Sequence, residues 1–168
     1  SLHDLPGTNM QKYDIDTGDA KPIRCRPYRS SPAARKEISK QVQELLDAGF
    51  IKPCDGNWSS PVVMVQKKDG GQRFCIDYRR LNKITRHTSW NLPLITDVID
   101  SMADSKSSYF TSLDMRSGYH QIFLTKEASE KSAFCVHEGT FAWNRLPFGM
   151  QGSLSLIHIS EPTRHLRI

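Results

Sequence analysis

No apolar run in this sequence approaches the roughly 18 residues that a membrane-spanning helix needs, so a chain crossing a bilayer as a helix is excluded. Cysteine is also sparse. The four residues Cys25, Cys54, Cys75 and Cys135 are widely spaced and form no CxxC pair. They read as reduced thiols in a chain too rich in core residues to need a disulfide scaffold, and with no signal peptide before Leu2 the expected setting is intracellular. Acidic residues are the scarcer charge, 18 against 23 Lys and Arg, for a net of +5. With 38% apolar and 24% charged residues, the 168-residue chain is neither fibrous nor disordered overall. It has the size and composition of one ordinary soluble domain.

Much of the basic excess lies in two stretches, Lys21 to Lys40 and Lys67 to Arg86, the second opposed only by Asp69 and Asp77. Such clustering marks either a polyanionic partner or a solvated face.

Residues 1–30, ending in the Pro22 to Pro32 stretch, hold no sustained periodicity and read as an extended arm. Ser31 and Pro32 then look like an N-cap and first helical position. Ala34, Ile38, Val42 and Leu45 recur at helical spacing until Gly49 supplies the stop. Val62 to Val65 is a short apolar strand, Asp69-Gly70-Gly71 is turn chemistry, and Arg73 to Tyr78 resumes the extended pattern, which makes a hairpin with Lys67 and Lys68 at its tip. After a break at Asn91 to Leu94, Thr96 caps a helix in which Ile95, Val98, Ile99 and Met102 share a face. Ser108 to Asp114 and Tyr119 to Thr125 alternate as strands. Phe134 to Val136 and Phe141 to Arg145 flank a Glu138-Gly139 turn. Helices and hairpins mixed in this way predict an α+β fold.

Asp114 closes its strand just before the small-residue turn Ser117-Gly118, which leaves the carboxylate free at the strand end. A divalent cation could sit there, with the Met115 carbonyl as a further oxygen ligand, because Mg²⁺ takes one or two protein carboxylates and fills its octahedron with substrate phosphates. Taken alone, an Asp after a strand is more often a turn former.

Four blocks, GFIKPCDGNWSSPVVMVQKKDGGQRFCIDYRRLNKIT, NLPLITDVIDSM, SYFTSLDMRSGYHQI and the KSAFCV with FAWNRLPFGM segments, stand in an order and spacing that resembles the N-terminal half of a reverse transcriptase from gypsy-type LTR retrotransposon polyproteins. The resemblance runs to Ser153. It implies a right-hand polymerase with fingers, mainly Ser31 to Trp90 plus the later hairpin, and an incomplete palm around Ser108 to Leu124. By resemblance Asp114 is the first catalytic aspartate, binding both Mg²⁺ ions of an in-line phosphoryl transfer with Met115 beside it, and Tyr119 is the steric gate beneath the deoxyribose. Without the family, Tyr119 is a buried strand aromatic. Lys67, or its rival Lys68, and Arg73 resemble the groups that hold the triphosphate, Lys as a point charge and Arg as a fork. Asp77 and Arg79 match a DYR box that suits template contact or an internal ion pair equally. Leu146, Pro147, Phe148 and Gly149 resemble the segment lying against the templating base pair.

The resemblance further implies an RNA or DNA template with its primer, deoxynucleoside triphosphates, and linked protease, RNase H and integrase parts working in cytoplasmic virus-like particles with nuclear access, with no membrane partner. A non-catalytic nucleic-acid-binding module is the competing class. The family's other metal aspartates lie in a YxDD hairpin, whereas no Asp follows Asp114 in these 168 residues. One carboxylate does not offset two dications roughly 3.5 to 4 Å apart, so this chain alone is expected not to polymerise. Residues 154–168 stop tracking any face, and LSLIHISEPTR resembles the translated end of a sequencing-library transposon adapter, so they are expected to be non-native.

Overall fold

A computed structural model describes residues 7–66, 70–86, 94–105, 107–111 and 117–152 of the chain. Helix α1, Pro32–Asp47, begins where the sequence places it: Ser31 is extended, its hydroxyl accepts the Ala34 amide at 3.2 Å, and Pro32 occupies the first turn, where no backbone N–H is needed. The helix ends at Ala48, and Gly49 turns the chain away at φ 71°. Its apolar face buries Ile38, Val42 and Leu45, each worth about 1.5–3 kcal/mol when fully withdrawn from water.

That face belongs to a core shared with a five-stranded sheet ordered β2-β7-β6-β3-β4, where β2 is Ile51–Pro53, β3 Ser60–Gln66, β4 Gln72–Ile76, β6 Phe134–Val136 and β7 Gly139–Trp143. β3 and β6 run parallel and the other neighbours antiparallel. The β3–β4 hairpin pairs Val62 with Ile76 through Gln66 with Gln72. Ser60 to Val62 are buried, whereas Val65 and Gln66 are exposed, so the hairpin leaves the core and projects toward solvent. At the sheet's centre the Phe134 ring meets Phe74, Phe141 and Trp143 at 5.7, 5.9 and 5.8 Å. Helices α2, Arg79–Ile84, and α4, Lys126–Lys131, add Leu81 and Ala128 to this core. The four cysteines are free thiols.

Several expectations are corrected. The N-terminal stretch is more than an arm: β1, Thr8–Tyr13, pairs in parallel with β5, Ile122–Leu124, and Tyr13 and Ile15 are buried. Its partner lies more than a hundred residues away in sequence, so local periodicity carries no trace of the pairing. Tyr119 to Thr125 is not one strand. Gly118–Gln121 is a 3-10 turn entered through Ser117 at φ 50°, and only the residues after it are extended. Of the strand expected over Ser108 to Asp114, residues 108–111 carry no strand and expose Tyr109 and Phe110, and the remainder lies outside the described residues. Helix α3, Ile95–Asp104, has its N-cap at Leu94 rather than at Thr96. Its apolar stripe exists, but Ile95, Val98, Ile99 and Met102 are all exposed.

Candidate functional site

The segment from Asn144 to Gly149 is held against the 3-10 turn and β5 by backbone bonds. The Leu146 amide donates to Ile122 and the Leu124 amide to Asn144, at 2.9 and 3.1 Å. Leu146 and Pro147 are buried, and the next side chain, Phe148, turns outward and is 56% exposed. Its ring meets the half-buried Tyr119 ring edge-on, centroids 5.0 Å apart. The structure thus brings together two candidates that stand nearly thirty positions apart in sequence.

Gly149 follows at φ 87°, a conformation that strains any side chain. Asn82 on α2 clasps this turn from both sides: its Nδ2 donates to the Gly149 carbonyl at 2.9 Å and its Oδ1 accepts the Gln151 amide at 3.1 Å. Nothing in the local spacing singles Asn82 out, since its partners lie on a distant loop.

Val63, Cys75, Ile76, Asp77, Tyr78, Arg79, Asn82 and Gly149 line an open cleft of about 290 Å³. Asp77 and Arg79 form a two-toothed ion pair there, Nε to Oδ1 at 2.8 Å and Nη2 to Oδ2 at 2.7 Å. The internal pair is therefore real, and it still leaves the Arg79 side chain 82% exposed. The Arg79 hydrogen bonds hold the Asp77 carboxyl well below the usual carboxylate range, and Asp77 in turn raises the Arg79 guanidinium further. Tyr28, which the sequence reading passed over, donates its hydroxyl to Asp77 Oδ2 at 3.0 Å, and that bond pushes its own titration up. Behind the cleft the Tyr78 hydroxyl donates to the Ser132 carbonyl at 2.7 Å, and burial drives its ionisation far upward.

Arg73 is exposed on β4, opposite Val65, and does not line the cleft. Lys67, Lys68, Asp114 and Met115 lie outside the described residues. Among the described residues no three His, Cys, Asp or Glu side chains cluster as metal ligands. A second cavity of about 260 Å³, between residues 27–30, α1 and the sheet, contains none of the candidate residues.

Comparison with known proteins places this geometry. The family described as reverse transcriptase (RNA-dependent DNA polymerase) matches residues 65–160. The retrovirus-related Pol polyprotein from transposon gypsy of Drosophila melanogaster is 32% identical over 158 residues, covering 90% of this chain and 15% of that protein. The enzymatic polyprotein of cauliflower mosaic virus (strain Strasbourg) is 32% identical over 163 residues, 93% of this chain and 24% of its own length. The chain therefore spans a quarter or less of these two relatives. Among solved structures, prototype foamy virus protease-reverse transcriptase superposes with a TM-score of 0.78 at 26% identity, over 94% of this chain and 21% of that one. The foamy viral protease-reverse transcriptase in complex with dsDNA gives 0.72 at 25% identity, over 94% and 30%.

Proposed function

Because this chain belongs to the reverse transcriptase (RNA-dependent DNA polymerase) family, we propose that its residues form the fingers and the opening of the palm of an RNA-directed DNA polymerase. The observation that carries the reading is the contact between Tyr119 and Phe148, on the loop whose Gly149 also lines the Asp77–Arg79 cleft.

In this reading Tyr119 is the surface beneath the deoxyribose, where a 2′-hydroxyl would collide with its ring. The exposed Phe148 gives the sugar and base an apolar floor, and buried Pro147 fixes the direction in which that floor faces. Gly149, lacking a Cβ, lets the backbone approach the templating pair. Arg73 forks onto the triphosphate with Lys67 or Lys68 as the accompanying point charge. Arg79, preset by Asp77 and largely in solvent, offers its cation to a template phosphate.

Magnesium enters as the ion that Asp114 and the Met115 carbonyl would hold, to activate the primer hydroxyl and offset the phosphates. A single carboxylate at Asp114 does not by itself offset two dications. On that ground we expect no primer extension from the 168-residue chain assayed by itself. The linked protease, RNase H and integrase, and the cytoplasmic particle with nuclear access, belong to the same proposal for the longer polyprotein.

Two measurements test it. Ultraviolet crosslinking of 4-thio-deoxythymidine triphosphate to the chain is expected to label the Tyr119 or Phe148 peptide. Unlabelled deoxynucleotide should compete better than ribonucleotide, a preference erased in Tyr119→Ala. Labelling indifferent to the sugar would favour a non-catalytic nucleic-acid-binding module instead. Primer extension by the chain should yield no product, and incorporation abolished in Asp114→Asn would refute the inactivity.

A further inference from the structure

His120 follows Tyr119 in the 3-10 turn, and its side chain is buried. The Nδ1 atom lies 3.1 Å from the Leu146 carbonyl oxygen. A carbonyl only accepts, so Nδ1 carries the hydrogen, and a neutral ring leaves the other nitrogen bare. Three aromatic rings surround the imidazole: Trp143 stacked at 5.6 Å and 10°, Phe50 edge-on at 5.3 Å, and Phe148 edge-on at 4.8 Å. The His120 main-chain carbonyl accepts Arg145 Nη1 at 3.1 Å. His120 thus ties the turn that carries Tyr119 to the loop that carries Phe148, through its backbone on one side and its ring on the other.

We propose that His120 is a positioning residue whose neutral imidazole holds Phe148 against Tyr119 and so fixes the surface that receives the incoming deoxynucleotide. The proposal rests on the assignment of Tyr119 and Phe148 to the nucleotide pocket. It goes further in naming what keeps that pocket formed and in making the pocket sensitive to acid. Phe148 is more than half exposed and cannot hold its orientation by burial. Among the described residues its ring contacts are Tyr119, which it is meant to meet, and His120, which backs it. A phenylalanine at 120 would fill the space but would release the Leu146 carbonyl, two residues before Phe148.

The groups facing the imidazole are Phe50 just before β2, Trp143 from β7, and Leu146 and Phe148 from the following loop. Among the described residues, Arg145 on the same segment is the charged group that acts on it. Burial holds the imidazole's titration below its ordinary value, the Leu146 bond opposes this and Arg145 adds to it. The neutral ring therefore persists through neutral pH, and acid adds a second cation beside the Arg145 guanidinium, whose like-charge repulsion works against the packed position of the ring.

The test uses the 168-residue chain labelled with ¹⁵N-histidine. Long-range ¹H–¹⁵N spectra, with His120 assigned through His120→Phe, should show Nδ1 protonated and the other nitrogen bare at neutral pH. The nuclear Overhauser contact between the Tyr119 and Phe148 rings should then vanish as His120 titrates. Binding of a fluorescently labelled deoxyadenosine triphosphate should weaken by about tenfold per pH unit below that titration, the slope of one proton. In His120→Phe this step should be absent. A contact that survives the titration, or a His120→Phe chain that keeps the wild-type step, overturns the proposal. A wild-type chain that binds no nucleotide at any pH overturns the pocket assignment instead, while the ring contact still decides the role of His120.

Discussion

Asp77 gives the fold a defined response to acid. Its carboxylate accepts from Arg79 twice and from Tyr28 once, and these bonds place its titration below the ordinary 3.8. A group depressed on folding adds stability above its unfolded value and loses it as pH falls through the folded one. Asp77→Asn should therefore melt below wild type at neutral pH, with the two melting curves converging in acid below the usual carboxylate range. Calorimetry across that range checks the sign: a gap that widens in acid would contradict it. Tyr78→Phe makes a second case. It leaves a buried Ser132 carbonyl without its 2.7 Å donor, which should cost about 1–2 kcal/mol, read as a lower urea midpoint at unchanged slope. Residues in one continuous block, such as Asp77 with Arg79 or Phe148 with Gly149, could be singled out from sequence, because their motifs are local strings. Tyr28, Asn82 and His120 could not, because what defines each is a partner on another element.

Elements follow the same division. α1 was legible because its signals are all internal: an extended Ser31, a Pro32 that needs no hydrogen-bond partner, and apolar residues three and four apart. Ser31→Ala should remove the side-chain acceptor of the Ala34 amide and cost about 1 kcal/mol. Chemical denaturation measures it, and Ser31→Asp should restore most of the loss. The β3–β4 hairpin was legible for the same reason, since both strands and the turn between them are contiguous. β1 and the 3-10 turn were not. β1 is a strand because β5 is beside it, and Gly118–Gln121 is a turn because Ser117 adopts a left-handed backbone, although Tyr119, Gln121 and Phe123 alternate as a strand would. Periodicity reports which face of an element is apolar. It does not report whether anything covers that face, and α3 shows the difference most clearly.

At the scale of the whole molecule, α3 is the uncovered part. Leu94, Ile95, Val98, Ile99 and Met102 are between 42% and 80% exposed, and Tyr109 and Phe110 add two exposed rings. Apolar surface gathered in this way favours association in water. Five such side chains are worth about 1.5–3 kcal/mol each when fully buried, against about 4–15 kcal/mol to bring two free chains together. The two sums nearly balance, so the chain should form a weak, concentration-dependent assembly rather than a tight dimer or a strict monomer. Sedimentation velocity over a hundredfold dilution should show the average mass falling toward 19.1 kDa. Val98→Glu with Ile99→Lys should hold it there at every concentration. The same pair should leave the Tyr119–Phe148 contact and the thermal midpoint nearly unchanged, because neither side chain belongs to the core. A chain that stays monomeric when concentrated, or a double variant that still associates, would show that α3 does not drive assembly.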